Sequence, residues 1–187
     1  MFELLHQKVD VTLSWSQKLS IALDVSKGMT YLHNAFENPI LHRDLKSLNM
    51  LLLQQVKDEN DVPSTKITDF GLARDNMKNE MMTANTGTFH WMAPEVLNAE
   101  SYTEKADVYS FGIVLYEIIT RKTPYLGLTG PQIASRVVNQ QERPDCSYIP
   151  DDCPEILKEL MMKCWDQEPS NRPTFSDCTK VLKQVQL

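Results

Sequence analysis

Between Thr103 and Ile119 the residues Ala106, Val108, Phe111, Val114, Leu115 and Ile118 recur so that, at helical spacing, they cover much of a helix's circumference rather than one stripe. A helix that is apolar on several faces has no side to give to water, so the remaining chain must pack around it. Ser101 or Thr103 can cap its start. Phe2 to His6 reads as a short helix, and Ser16 to His33 as a longer one with Leu19, Ala22, Val25, Met29 and Leu32 as its buried stripe. Pro131 to Val138, Pro154 to Trp165 and Thr174 to Val185 supply three more helices, divided by proline-bearing connections at 144–154 and 169–173. The expected fold class is mainly α, a helical bundle.

One β element interrupts this pattern. After Pro39, Ile40-Leu41 gives a short extended approach to a loop that begins at His42, and Met50 to Leu53 reads as a brief strand. A polar insert, 54–64, connects it to a return strand, Thr65 to Thr68, which delivers Asp69 beside the loop at His42. From Arg74 to Thr88 the composition turns to Asn, Met, Lys, Glu and Thr without periodicity and reads as a mobile loop.

That hairpin brings a particular chemistry within reach. Moving a phosphoryl group requires a carboxylate to orient the attacking hydroxyl, hard oxygen ligands for magnesium, and a cation beside the developing charge. Asp44 can accept the hydroxyl proton, Asn49 and Asp69 can bind metal through oxygen, and Lys46, two residues beyond Asp44, can reach the transferred phosphate. Each Asp or Asn alone reads equally well as the cap of a turn. The ordered set HRDLKSLN (42–49), DFG (69–71) and APE (93–95) does not.

Composition narrows the alternatives. A chain of 187 residues, 42% hydrophobic and 24% charged, suits one domain with a sizeable core. A net charge of −6 without clustered Lys and Arg argues against a nucleic-acid surface. The apolar stretch FGIVLYEII from Phe111 is too short, and too interrupted by Glu117, to span a bilayer, and Met1-Phe2-Glu3 does not resemble a signal peptide. Cys146, Cys153, Cys164 and Cys178 form no CxxC pair and have no His partners at zinc spacing, which favours free thiols in a reducing cytoplasm over disulfides or a metal site.

From about Phe2 to Leu187 the three strings and their order resemble the larger, C-terminal lobe of a eukaryotic protein kinase. Lys46 after Asp44, with Gly87-Thr88 before FHWMAPE, is similar to serine/threonine kinases, and the KSLN and WMAPE strings resemble the tyrosine-kinase-like group. The resemblance implies ATP and Mg2+ as cofactors and a protein as substrate. It implies Asp44 as catalytic base, Lys46 as phosphate-contacting cation, Asn49 and Asp69 as magnesium ligands, and Thr88 as a hydrogen-bonding neighbour of Asp44. His42 and Phe70 would stack in a regulatory spine, with Gly71 completing the DFG string, and Leu51 would touch the adenine. Asp107 would anchor the HRD backbone, and Glu95 would pair with Arg172. Arg43 would meet a phosphorylated Thr83 or Thr86, and His90 would help shape the peptide-binding floor.

The resemblance also implies what these residues lack. No glycine-rich loop and no VAIK-like lysine strand occurs before His42, so 1–187 is expected to be the C-terminal lobe alone, beginning at or just beyond the hinge. The expected partners are a protein substrate and an N-terminal lobe or complementing chain. Activity of the lobe alone is expected to be weak, because each missing electrostatic donor is worth about 2.7–4 kcal/mol. The alternative is a docking module derived from a kinase lobe.

Overall fold

A computed structural model of the chain describes residues 1–8, 10–69 and 89–185. Helix α1 spans Phe2–His6 and α2 spans Trp15–Asn34; strands β1 (Met50–Leu52) and β2 (Thr65–Ile67) follow. Helices α3 (Pro94–Leu97), α4 (Lys105–Thr120), α5 (Gly130–Gln140), α6 (Glu155–Cys164) and α7 (Phe175–Leu182) complete the described elements, with short 3-10 turns at Ser47–Asn49, Phe89–Trp91, Cys146–Tyr148 and Pro169–Asn171. The architecture is the mainly helical bundle with one small hairpin that the sequence predicts.

Helix α4 is the centre. Every residue from Ala106 to Ile119 is buried, and α4 packs against α2, α6 and the turns at Phe89–Trp91 and Pro169–Asn171. Each fully buried Val, Leu, Ile or Phe there contributes about 1.5–3 kcal/mol. The approach of α6 depends on Gly112, where a Cβ would stand 2.9 Å from the backbone nitrogen of Trp165 and 3.1 Å from the Cβ of Cys164.

Two sequence expectations about these helices change. The start of α4 is Glu104, which makes no side-chain cap; Thr103 assists through its Oγ1, 3.3 Å from the Lys105 amide, and Ser101 takes no part. On α2 the fully buried stripe is Ile21, Ala22, Val25 and Met29, while Leu19 and Leu32 pack only at its edge. Polar residues take the remaining inward positions because each finds a partner: Lys18 Nζ donates to the Ile119 carbonyl at 2.8 Å, Ser26 Oγ to the Leu23 carbonyl at 3.0 Å, and His33 meets Asp107. The helix begins after Ser14, which forms a capping box with Gln17. Helix α7 stops at Leu182, three residues before the predicted end.

Arg121, left-handed at φ 56°, ends α4 and turns its guanidinium onto the carbonyls of Leu4, Leu5, Lys8 and Val11, fastening α1 to the bundle. The hairpin is antiparallel, with Met50 opposite Ile67, Leu51 opposite Lys66 and Leu52 opposite Thr65. Its face toward the core carries Met50 and Thr65. The four cysteines are free thiols; burial pushes the Cys153 thiol up to about 11, and Cys164 and Cys178 meet between α6 and α7 in a thiol–thiol hydrogen bond of 3.7 Å rather than a disulfide. No helix among the described residues is long and apolar enough to cross a membrane.

Gly112→Ala should lower the unfolding free energy by about 1–3 kcal/mol, because the added methyl meets backbone that cannot swing aside. Urea denaturation monitored by tryptophan fluorescence measures it; a loss below about 0.5 kcal/mol, the scale of an ordinary surface change, would contradict the close α4–α6 contact.

Candidate active site

The loop between Ile40 and Met50 has little regular structure of its own, so its shape is set by side chains reaching it from elsewhere. Asp107, in the first turn of α4 and 1% exposed, does this at one end. Its Oδ2 accepts from the His42 amide at 2.8 Å and its Oδ1 from the Arg43 amide at 2.9 Å, while His33 Nε2 lies 3.0 Å from Oδ2. Arg43 is held in the left-handed region at φ 67°, a conformation that costs a non-glycine residue about 1–3 kcal/mol unless its surroundings over-determine it. The two bonds to Asp107 are such surroundings.

His42 ties this loop to the hairpin. Its ring is fully buried, with Nδ1 accepting from the Asp44 amide at 3.3 Å and Nε2 lying 3.0 Å from the Thr68 carbonyl. An Nε2–H tautomer satisfies both contacts. The Thr68 amide and hydroxyl both donate to the Asn49 carbonyl, at 2.9 and 3.1 Å. Asp69, the next residue, is therefore delivered beside Asn49, and it too is left-handed, at φ 65°.

Asp44, Lys46 and Asn49 form one bonded set. The Lys46 ammonium lies 2.7 Å from Asp44 Oδ2, and Asn49 Nδ2 donates to the same oxygen and to the Asp44 carbonyl, each at 2.9 Å. The Asn49 amide nitrogen is thus committed to Asp44, which turns its oxygen away from that carboxylate. Asp44 Oδ1 is buried and has no hydrogen-bond partner among the described residues. A carboxylate with one oxygen clamped and the other without a donor is arranged to accept a proton or a hydroxyl hydrogen. Arg43, Asp44, Trp91, Met92, Tyr102 and Ser110 line part of a small pocket beside it. The donor set suits a hard cation and the phosphates it would accompany, since Asn49 and Asp69 offer oxygen and Lys46 offers positive charge.

Leu51 is 55% exposed on β1, with Leu48 and Leu53 comparably open beside it. Glu95 and Arg172 form the pair that the resemblance implies: Arg172 Nη1 donates to Oε1 at 2.7 Å and Nη2 to Oε2 at 2.9 Å. The other guanidinium donors go to the carbonyls of Asp166, Lys105 and Gln167, so all five N–H groups of a side chain with no exposure are satisfied. His90 lies with Phe89 and Trp91 in the 3-10 turn, its ring 5.4 Å from that of Trp91. The expectations for Phe70, Gly71, Thr83, Thr86 and Thr88 fall outside the described residues.

One centre escaped sequence reasoning. Glu117, seen there only as an interruption of an apolar run, is fully buried and gathers Ser47 Oγ at 2.7 Å, Trp91 Nε1 at 2.8 Å and His6 Nε2 at 2.8 Å. Ser110, likewise unremarked, donates to the Trp91 carbonyl at 2.7 Å. The signal was present: at 100° per residue, Asp107, Ser110 and Glu117 fall within about 80° of one another on a helix otherwise apolar all round.

The family model of protein tyrosine and serine/threonine kinases matches residues 2–182. Serine/threonine-protein kinase STY17 of Arabidopsis thaliana is 43% identical over 185 residues, covering 99% of this chain and 30% of the relative. Serine/threonine/tyrosine-protein kinase HT1 of the same plant is 41% identical over 180 residues, 96% of this chain and 43% of the relative. Human mitogen-activated protein kinase kinase kinase 11 is 42% identical over 167 residues, 88% of this chain and 19% of the relative. The chain thus spans less than half the length of each of these relatives.

Glu95→Ala should cost about 3–5 kcal/mol, because it strands a guanidinium in the interior rather than merely deleting an attraction. Chemical denaturation of the variant checks this; a loss under about 1 kcal/mol would put the pair in the class of surface ion pairs.

Proposed function

Because the chain belongs to the protein tyrosine and serine/threonine kinase family, we propose that its site transfers the terminal phosphoryl group of ATP to serine or threonine hydroxyls of a protein. The observation that carries this reading is the Asp44 carboxylate, with Oδ2 clamped by Lys46 and Asn49 and Oδ1 buried without a donor among the described residues. Asp44 orients the acceptor hydroxyl and takes its proton at Oδ1. Lys46 neutralises negative charge next to Asp44 in the resting site and turns to the transferred phosphoryl oxygens during reaction. Asn49 and Asp69 would hold Mg2+, whose chemistry is to neutralise charge on the phosphate oxygens. Leu51 offers the adenine an exposed apolar surface.

The preference for serine and threonine rests on Lys46 and on Gly87-Thr88, and is in keeping with the similarity to serine/threonine-protein kinase STY17. Thr88 neighbours Asp44 in this reading, Phe70 and Gly71 continue the metal loop, and phosphate on Thr83 or Thr86 pairs with Arg43. His42 ties the two loops. Residues 1–187 act as the C-terminal lobe of a longer catalytic unit in the cytoplasm, whose glycine-rich loop and strand lysine come from outside these residues. The cluster of exposed Leu48, Leu51 and Leu53 is where such an N-terminal lobe would sit. The same apolar surface favours the second reading, in which the lobe only docks partners.

With radiolabelled ATP and a generic protein substrate, the chain alone should transfer phosphate slowly, a supplied N-terminal kinase lobe should raise the rate, and Asp44→Asn should abolish it. Robust turnover by the chain alone, lost in Asp44→Asn, would overturn the dependence on a second lobe. Absence of transfer in every sample would replace the kinase reading by the docking one.

A further inference from the structure

The end of α2 and the starts of α4 and α7 converge around a cavity of about 120 Å³, apart from the site described above. We infer that this cavity binds a small flat molecule presenting N–H donors, of the aryl amidine class, and that its occupancy is felt at Asp107. The inference goes beyond the kinase reading and needs no phosphoryl transfer. Val108 and Phe175, 0 and 1% exposed, supply apolar walls together with Pro39. The His33 ring stands edge-on to Phe175, with centroids 5.1 Å apart and planes at 78°. An apolar cavity of roughly 150 Å³ takes one benzene, so a single small ring is the scale of occupant that fits.

The polar groups on the lining decide what that ring must carry. Their donors are largely spent. Lys105 turns its ammonium onto the Arg172 carbonyl, Thr174 Oγ1 donates to Asp177 Oδ2 at 2.7 Å, and Asn34 Nδ2 donates to Ser176 Oγ at 2.9 Å. The amides that open α4 go to Thr103, Lys105 to its hydroxyl at 3.3 Å and Ala106 to its carbonyl at 3.0 Å. Acceptors remain open. Asn34 Oδ1 and the half-buried Glu104 carboxylate take no hydrogen bond or ion pair among the described residues, and neither does His33 Nδ1, on a ring only 6% exposed. An arriving N–H therefore meets three acceptors, and the Glu104 charge favours a cation over an anion.

His33 connects the cavity to the loop at 42–49. Its Nε2 carries hydrogen, because it faces Asp107 Oδ2 at 3.0 Å, an oxygen that also accepts the His42 amide. In the neutral ring Nδ1 is then the acceptor. A donor placed on Nδ1 polarises the imidazole and makes Nε2–H the stronger donor to Asp107, since hydrogen bonds in a chain reinforce one another by roughly 10–30%. The chain runs from ligand through His33 and Asp107 to the amides of His42 and Arg43. Binding in the cavity thus firms a loop that it does not touch.

Benzamidine, a ring bearing a planar cationic amidine, is the probe, and benzoate, of the same shape and opposite charge, is its control. Calorimetric titration of the chain with benzamidine should give a dissociation constant on the order of 1 mM, the scale for so small a ligand. Benzoate should bind about 10-fold more weakly or not at all. Glu104→Gln should weaken benzamidine about 10-fold, while Glu159→Gln, on the exposed side of α6, should leave it unchanged. In 15N imidazole spectra the His33 Nδ1 signal, assigned with His33→Gln, should move on addition of benzamidine while those of His6 and His90 stay. At saturation, amide hydrogen exchange at His42 and Arg43 should slow by about 5-fold. Benzoate binding as tightly as benzamidine, a His33 signal indifferent to benzamidine, or an affinity untouched by Glu104→Gln overturns the site. Binding with unaltered exchange at His42 and Arg43 overturns the coupling. If His33→Gln does not fold, the benzoate comparison and Glu104→Gln decide.

Discussion

A carboxylate buried in a helix interior has to be met by donors, and α4 buries two, Asp107 and Glu117, with Ser110 between them. None of the three is satisfied within α4 alone: Ser110 reaches both the Ala106 and Trp91 carbonyls, and the two acids draw their donors wholly from other elements. Asp107 takes backbone amides of His42 and Arg43, and Glu117 takes Ser47 and Trp91. Desolvation thus converts a packing element into a scaffold for loops. The irregular stretch between Ile40 and Met50 is gripped at both ends by one helix, which is how a segment with few hydrogen bonds of its own can hold two functional side chains in register.

The grip allows the loop to carry strain. Arg43 and Asp69 both adopt left-handed backbone conformations, and each adjoins a residue tied down by multiple bonds, His42 in one case and Thr68 in the other. The cross-connection from His42 to the Thr68 carbonyl makes the loop at 42–49 and the hairpin exit one body. At the far side, Arg172 spends all five donors on Glu95 and three carbonyls, so the segment following Trp91 is anchored independently of the site. The site is assembled from loops, yet each loop ends on something rigid.

Much of this was legible in the sequence because it follows from periodicity and order. The all-round apolar character of 106–118 announces α4, and alternate strands flanking a polar insert announce the hairpin that brings Asp69 back to Asn49. The HRDLKSLN, DFG and APE strings point to the residues of the site, and the pairing of Glu95 with Arg172 follows from the resemblance they carry. What pattern could not convey was which polar residues turn inward. Leu19 was expected in the α2 stripe, where Lys18 takes an inward place because the Ile119 carbonyl awaits it, and hydropathy is blind to such a partner. Glu117 was misread for the same reason: its role depends on donors 26, 70 and 111 residues away.

The central claim is that Asp107 holds the loop at 42–49 in shape, the loop that in the proposed kinase reading would bind magnesium nucleotide. Its most direct test is the binding of Mn2+·ADP, followed by electron paramagnetic resonance, to the chain and to its Asp107→Asn and Asp69→Asn variants. The account predicts binding by the wild-type chain, weakened about 10-fold or more in both variants, in Asp69→Asn through a lost ligand and in Asp107→Asn through a loosened loop. Equal affinity in the folded Asp107→Asn chain and the wild type would contradict it.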